Sequence, residues 1–287
     1  MELLIEKKRT PRKVDGWGNR VKVMLDFNKF KVRLMKFLQF HGLTYADFDE
    51  STNKSAFLLW HIDWNDDYNN TFKEDLESLK DSIELYDKAS LKRDVLATKA
   101  ALLDASLKIG LLESSPFYAI SHDLTKILNN KRFNWPSLGK SYTIPSEYFY
   151  KEKNQIDQKE WGDLNRIQKI LMDIVKSQGV TNEELERVDK RTGRLIWGIN
   201  LNSDFNKLFY EKLLSLQIAF DAYEKASIQE DWRAVRAILQ RIRLINFQFY
   251  KFLGAIRVAL KNARSDKRFW PSFPEDYKVP AHYNYKE

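Results

Sequence analysis

Residues 68–90 read YNNTFKEDLESLKDSIELYDKAS, and residues 205–227 read FNKLFYEKLLSLQIAFDAYEKAS. Slid against itself by 137 positions, the chain aligns 34–90 with 171–227 without a gap, and 19 of those 57 positions are identical. Unrelated segments of this composition would share only a few. The identities run through the whole stretch and include Gly42/Gly179, Thr44/Thr181, Trp60/Trp197, Asn65/Asn202, Asp67/Asp204, Asn69/Asn206 and Tyr86/Tyr223. The register slips to 136 at Lys131/Lys267 and to 135 at Trp135/Trp270, two single-residue changes of length. A period of this size is that of a domain, not of a solenoid repeat. The sequence predicts a basic arm at 1–15 followed by two tandem homologous domains, 16–152 and 153–287.

Each unit reads as all-α, a bundle of four or five helices. VKVMLDFNKFKVRLMKFLQFHG (21–42) places Phe27, Phe30, Leu34, Phe37 and Leu38 on one apolar face and ends on a glycine suited to a C-cap; LNRIQKILMDIVKSQG (164–179) does the same. Thr44 and Thr181, each with an acid three residues on, carry the capping-box pattern, and Ser227 with Glu230 is expected to repeat it, with Ser90 keeping the cap alone. Hairpin dipeptides between alternating segments are missing, and the seven prolines lie in the arm, at Pro116 and in the two closing segments. The longest helix is expected over about 228–264, and its counterpart is expected to break near 110–116.

Composition excludes some chemistry. With no cysteine there is no disulfide framework, thiolate zinc site or thiol nucleophile. No stretch is apolar enough to span a bilayer, so the expectation is a soluble chain, cytoplasmic or virion-borne. His41, His61, His122 and His282 lack partners at metal-ligand spacing, and His61 becomes Gly198 in the second copy; no metal site is expected. Asn65, Asp67 and Asn69 recur as Asn202, Asp204 and Asn206 where one helix should give way to the next, which favours capping over a binding site. GKS at 139–141 lacks the upstream glycine of a phosphate loop, and no nucleophile elbow is present. The reading is non-enzymatic, without a cofactor.

Charge points to a partner. Formal net charge is +8, and residues 232–268 hold ten basic side chains against one acid, Asp266. Arg236, Arg243, Tyr250, Arg257 and Arg264 recur every seventh residue, so on a helix they form one slowly winding ridge, flanked by Arg233 and Lys261. Such a row suits a phosphate backbone, and it also suits a solvated face whose arginine stems cover apolar surface. The arm adds Lys7, Lys8, Arg9, Arg12 and Lys13 around Pro11, a pattern that suits ordering on nucleic acid and equally suits a disordered, solubilising tail. Its RTPR stretch, followed by Trp17, resembles the basic arms of coat proteins of filamentous archaeal viruses; the likeness spans a few residues, and no site is carried over from it.

NKRFNWPSLGKSYTIPSEYFYKE (130–152) and DKRFWPSFPEDYKVPAHYNYKE (266–287) close the two units. Proline blocks helix, and Phe133, Trp135, Tyr142 and Tyr148, like Phe269, Trp270, Tyr277 and Tyr283, carry too much aromatic area to leave in water. Each segment is expected to be an extended strap docked on its own bundle, on the sister domain or on another subunit. The leading expectation is a structural or assembly protein, nucleoprotein or virion-like and self-assembling, that contacts nucleic acid through arm and ridge. The alternative is a protein-interaction scaffold with no nucleic-acid role.

Overall fold

A computed structural model describes residues 25–44, 47, 60–149, 163–188, 190, 195, 197–265 and 269–285. In the first half the chain forms α1 (Phe27–Phe40), α2 (Tyr68–Leu91), α3 (Val95–Leu112), a π turn (Glu113–Tyr118) and α4 (Ala119–Asn129). The second half forms α5 (Leu164–Ser177), a single turn α6 (Asn182–Leu185), α7 (Phe205–Ile228) and the long α8 (Trp232–Ala263). The architecture is all-α. Among the described residues there is no strand, only an isolated bridge between Val188 and Leu195.

An aspartate starts each of six helices. Asp26, Asp67, Asp94, Asp163, Asp204 and Asp231 stand at the N-caps, and each carboxylate accepts a backbone N–H of the first turn. That satisfies an otherwise unpaired donor and sets negative charge at the positive end of the helix dipole. α1 and α5 stop as expected, because Gly42 (φ 82°) and Gly179 (φ 74°) take the left-handed conformation that glycine adopts without strain. The expected caps at Ser90 and Ser227 are corrected: both serines lie inside the last turns of α2 and α7. The chain turns instead at Arg93 (φ 56°) and Glu230 (φ 55°), and the next helix begins one residue later, at Asp94 and Asp231.

α2 packs on α3 and α7 on α8, while α3, the π turn and α4 all lie along α8. The seam is antiparallel: Gly110 faces Arg257, Phe117 stacks on Phe249 at 4.2 Å, and the Ser121 hydroxyl donates to the Arg243 carbonyl. On the opposite flank Phe30 of α1 stacks on Phe220 of α7 at 4.3 Å. Each of these contacts joins a residue before 152 to one after it. The 16–152 and 153–287 halves therefore share one buried core, running from Leu25 to Ala263. Each fully buried phenylalanine in it contributes about 2–3 kcal/mol from removal of apolar surface from water.

Contacts recur at matching places in the two halves. The Asn28 amide donates to Asp67 at 2.6 Å and Asn165 to Asp204 at 3.1 Å; Asn69 donates to Asp26 at 3.0 Å and Asn206 to Asp163 at 2.8 Å. These clamps tie the start of α1 to that of α2, and of α5 to that of α7. The Asn70 backbone N–H and then the Asn28 amide hold the Asp67 carboxyl below the usual carboxylate range, as the Lys207 N–H and Asn165 do for Asp204. Across the halves, Lys29 pairs with Glu224 at 2.5 Å, and Arg166 with Asp87.

Candidate functional site

Two arginines of the row, Arg236 and Arg257, bond to the other half. The Arg236 guanidinium donates to the Pro136 carbonyl at 2.6 Å. Arg243 is half-buried against α4, with its Nε atom shielded from solvent. Arg257 Nε meets Glu113 Oε2 at 2.6 Å, and Glu113 is itself buried, with a side chain only 6% exposed. Tyr250 lies 5.4 Å from Tyr118. Arg264 caps the C-terminus of α8, where burial lowers its pKa. Of the flanking cations, Arg233 is exposed beside the Tyr142 ring at 5.7 Å, and Lys261 is exposed. Lys7, Lys8, Arg9, Arg12 and Lys13 lie outside the described residues.

The two closing segments cross between the halves. Trp135 first seals its own half: its indole N–H donates to the Ile127 carbonyl at the end of α4, and the ring lies 5.2 Å from Phe37, with buried Phe133 at 5.6 Å. Buried Tyr148 then donates to Asp231, the N-cap of α8, at 2.9 Å. In the second segment the Trp270 indole donates to the Ala263 carbonyl at the end of α8, and buried Tyr283 donates to Asp94, the N-cap of α3, at 3.1 Å. Tyr277 packs on Phe273 at 5.1 Å, whereas Phe269 is exposed. The carboxylates add to burial in pushing the two phenols up, Tyr148 to about 12. A cation matches on each side as well: Lys99 of α3 donates to the Pro271 carbonyl at 2.6 Å, as Arg236 does to Pro136.

That match was readable and missed. Lys99 stands 137 positions before Arg236. The first arginine of the row thus does what Lys99 does in the first half. Glu113 was also missed, because nothing local in ESSPFY announces that a carboxylate will be carried into the seam by the π turn.

What faces outward along the seam is apolar. Leu107 (59% exposed), Leu111 (49%) and Tyr118 (37%) line one side, and Leu244 (49%), Phe247 (42%) and Val258 (41%) the other. Phe247 stacks on Tyr250 at 6.3 Å and Tyr250 meets Tyr118, so the surface is continuous across the two helices. Exposed Lys251 lies over the Phe247 ring at 4.5 Å. A separate groove of about 480 Å³ runs between the first closing segment and α8, lined by Tyr142, Ile144, Phe149 and Arg241.

The loop before α2 rims the apolar surface. Buried Asp123 accepts the backbone N–H groups of His61 and Ile62, both at 2.8 Å, and fixes that loop to α4. It brings the rings of His61 and His122 to 3.9 Å, with Tyr118 5.5 Å from His61. Sequence spacing gave no sign of this pair, since its members stand on a loop and a helix of different register. Among the described residues no group of three or more His, Asp or Glu side chains is arranged to hold a metal ion. Buried Lys31 donates to the Asp63 carbonyl at 2.8 Å and to that of Asp66, and burial lowers its pKa. Among the described residues no helix is long and apolar enough to cross a membrane. Comparison with protein-family models, with curated proteins and with solved structures finds no match.

Proposed function

We propose that this chain is an internally duplicated helical unit whose two Pro/aromatic straps exchange between the halves, and that it works as a non-enzymatic structural or assembly protein through protein contacts. Matched clamps, caps and closing tyrosines at corresponding positions support the duplication. The observation that carries the functional reading is the use made of the arginine row: Arg236 holds the first strap, half-exposed Arg257 neutralises a buried carboxylate, and Arg243 and Arg264 are half-buried. Cations already bonded to groups of their own chain, as Arg236 and Arg257 are, are poor phosphate ligands, because a phosphate would have to compete with those partners.

A second reading keeps nucleic acid as partner. It rests on the outward cations Arg233, Arg241, Lys251 and Lys261, all exposed. Under this reading, exchanging those four cations for glutamine should abolish salt-dependent duplex binding; a second variant tests the use made of the row. Replacing Arg236, Arg243, Arg257 and Arg264 together by glutamine should lower the melting temperature by several degrees, with about 2–4 kcal/mol lost, and leave any salt-dependent duplex binding largely intact. An unchanged melting temperature with abolished duplex binding would return the row to nucleic acid.

A further inference from the structure

The apolar surface over the α3/α8 seam combines three properties that seldom coincide by chance on a charged chain. Six large apolar side chains are 37–59% exposed on two adjacent antiparallel helices. Contiguous exposed apolar surface of this kind marks an interaction site far more often than scattered leucines do. Its charges are also of one sign. Residues 95–118 and 232–263 contain two acids, Asp104 and Glu113. Asp104 is taken up by Ser82 and Tyr285, and Glu113 by Arg257. Lys251 and Lys261 remain outward.

Small residues lie along the middle of the seam. Gly110 and Gly254 each face the opposite helix closely, at 3.3 Å from Arg257 Cδ and 2.8 Å from Glu113 Oε1 for a Cβ placed there. Leu107 and Leu111 stand on one side of this line and Leu244 and Phe247 on the other. Residues 244–261 of the unbroken α8 give a track of about 27 Å at helical rise.

We propose that this surface docks an acidic amphipathic helix of a partner protein, laid along the seam with its apolar stripe down and its carboxylates toward Lys251 and Lys261. This rests on the protein-contact reading above. Charge complementarity selects the occupant. A second copy of the chain laid along the seam would set Lys251 and Lys261 against the same lysines. An anionic bilayer, being flat, would also meet Asp63 and Asp67, exposed on the loop that rims the surface at His61. A narrow helix avoids that loop.

The test uses the full chain and fluorescence anisotropy with a labelled helical peptide of about 18 residues, leucine on one side and glutamate on the other. Its partners are the same peptide with lysine for glutamate, vesicles of phosphatidylcholine with phosphatidylserine, and a duplex DNA. The acidic peptide should bind at least about tenfold more tightly than the basic one, and L111E/F247E should weaken it by about tenfold or more. L91E, at an exposed leucine on α2 away from the seam, should change nothing. L107E replaces the double variant should that one melt early. Absence of peptide binding, equal binding of both peptides, or a preference for vesicles or duplex that L111E/F247E abolishes each overturns the proposal. Because the protein-contact reading is judged on the melting temperature and duplex binding of the four-arginine variant, the two can fail separately.

Discussion

From Asp94 to Ile127 the first half crosses the molecule in two helices joined by a π turn, whereas from Asp231 to Ala263 the second half makes the same crossing in one unbroken helix. Both crossings begin at an aspartate that receives the other half's tyrosine, and both end at a carbonyl that receives a tryptophan indole. The first is one residue longer. The two helices meet at a kink where Ser115 leaves helical geometry (φ −126°, ψ 124°), and a slip of register from 137 to 136 falls within this crossing, between Asp94 and Ile127. The second slip, to 135, is the extra Asn134, which sits at φ 41° beside Trp135. The ends of the crossing are held by matched side-chain closures, and the middle differs. The Glu113–Arg257 pair sits in that middle and has no equivalent elsewhere in the seam.

The comparison can be broken most forcefully in the shared core. F249A removes a ring that is fully buried between Phe117 and Phe209, and it should cost about 3–5 kcal/mol. Because the core is continuous, both halves should lose protection together in hydrogen exchange; a first half that keeps its protection while the second opens would show two independent cores. Next in size are the two closures. D94A and D231A each remove a helix cap and a tyrosine partner, at about 2 kcal/mol apiece, and their urea midpoints should fall by similar amounts. A loss confined to one of them would mean that the crossing of the closing segments is not equivalent.

The unique ion pair should behave asymmetrically. R257Q strands a buried carboxylate and should cost about 1–3 kcal/mol, whereas E113Q leaves a half-exposed guanidinium that water can solvate and should cost less. The smallest effect lies at a matched position of opposite charge, Asp75 in α2 and Lys212 in α7. Burial, with Glu74 and Asp66 nearby, pushes the Asp75 carboxyl up to about 6, and burial lowers the Lys212 ammonium. The folded state then binds the Asp75 proton more tightly than the unfolded chain, so this group takes stability away as pH rises from about 4 to about 6. D75N should flatten that interval and raise stability at pH 7 by about 1 kcal/mol, discounted for partial exposure, as read from thermal melts across pH.

The elements were legible because their signals are local. Apolar spacing, Gly42, Gly179 and the Thr44 and Thr181 turns specify helices by short-range physics, and Thr44 does donate to the Asp47 carboxylate, while the Thr181 N–H donates to the Glu184 carboxylate and its hydroxyl accepts the Glu184 N–H. Ser90 and Ser227 misled because a serine near a helix end resembles a cap, and only the chain's path shows that an aspartate four residues on takes that place. The partners of the arginines were illegible for a different reason. Sequence period placed Arg236, Arg243, Arg257 and Arg264 on one side of a helix, but a period cannot say whether that side meets water or another helix. Glu113, 144 positions from Arg257, decides it for one of them.

The crossing closures also order events at the ribosome. Tyr283 follows its acceptor Asp94 by 189 residues, and Pro271 follows Lys99 by 172. Synthesis ordinarily lets an N-terminal unit finish before its successor emerges. Here the first half has its helices early but receives the segment that seals α3 only after Tyr283 has emerged, so a nascent chain carries that helix start uncovered throughout synthesis of the second half.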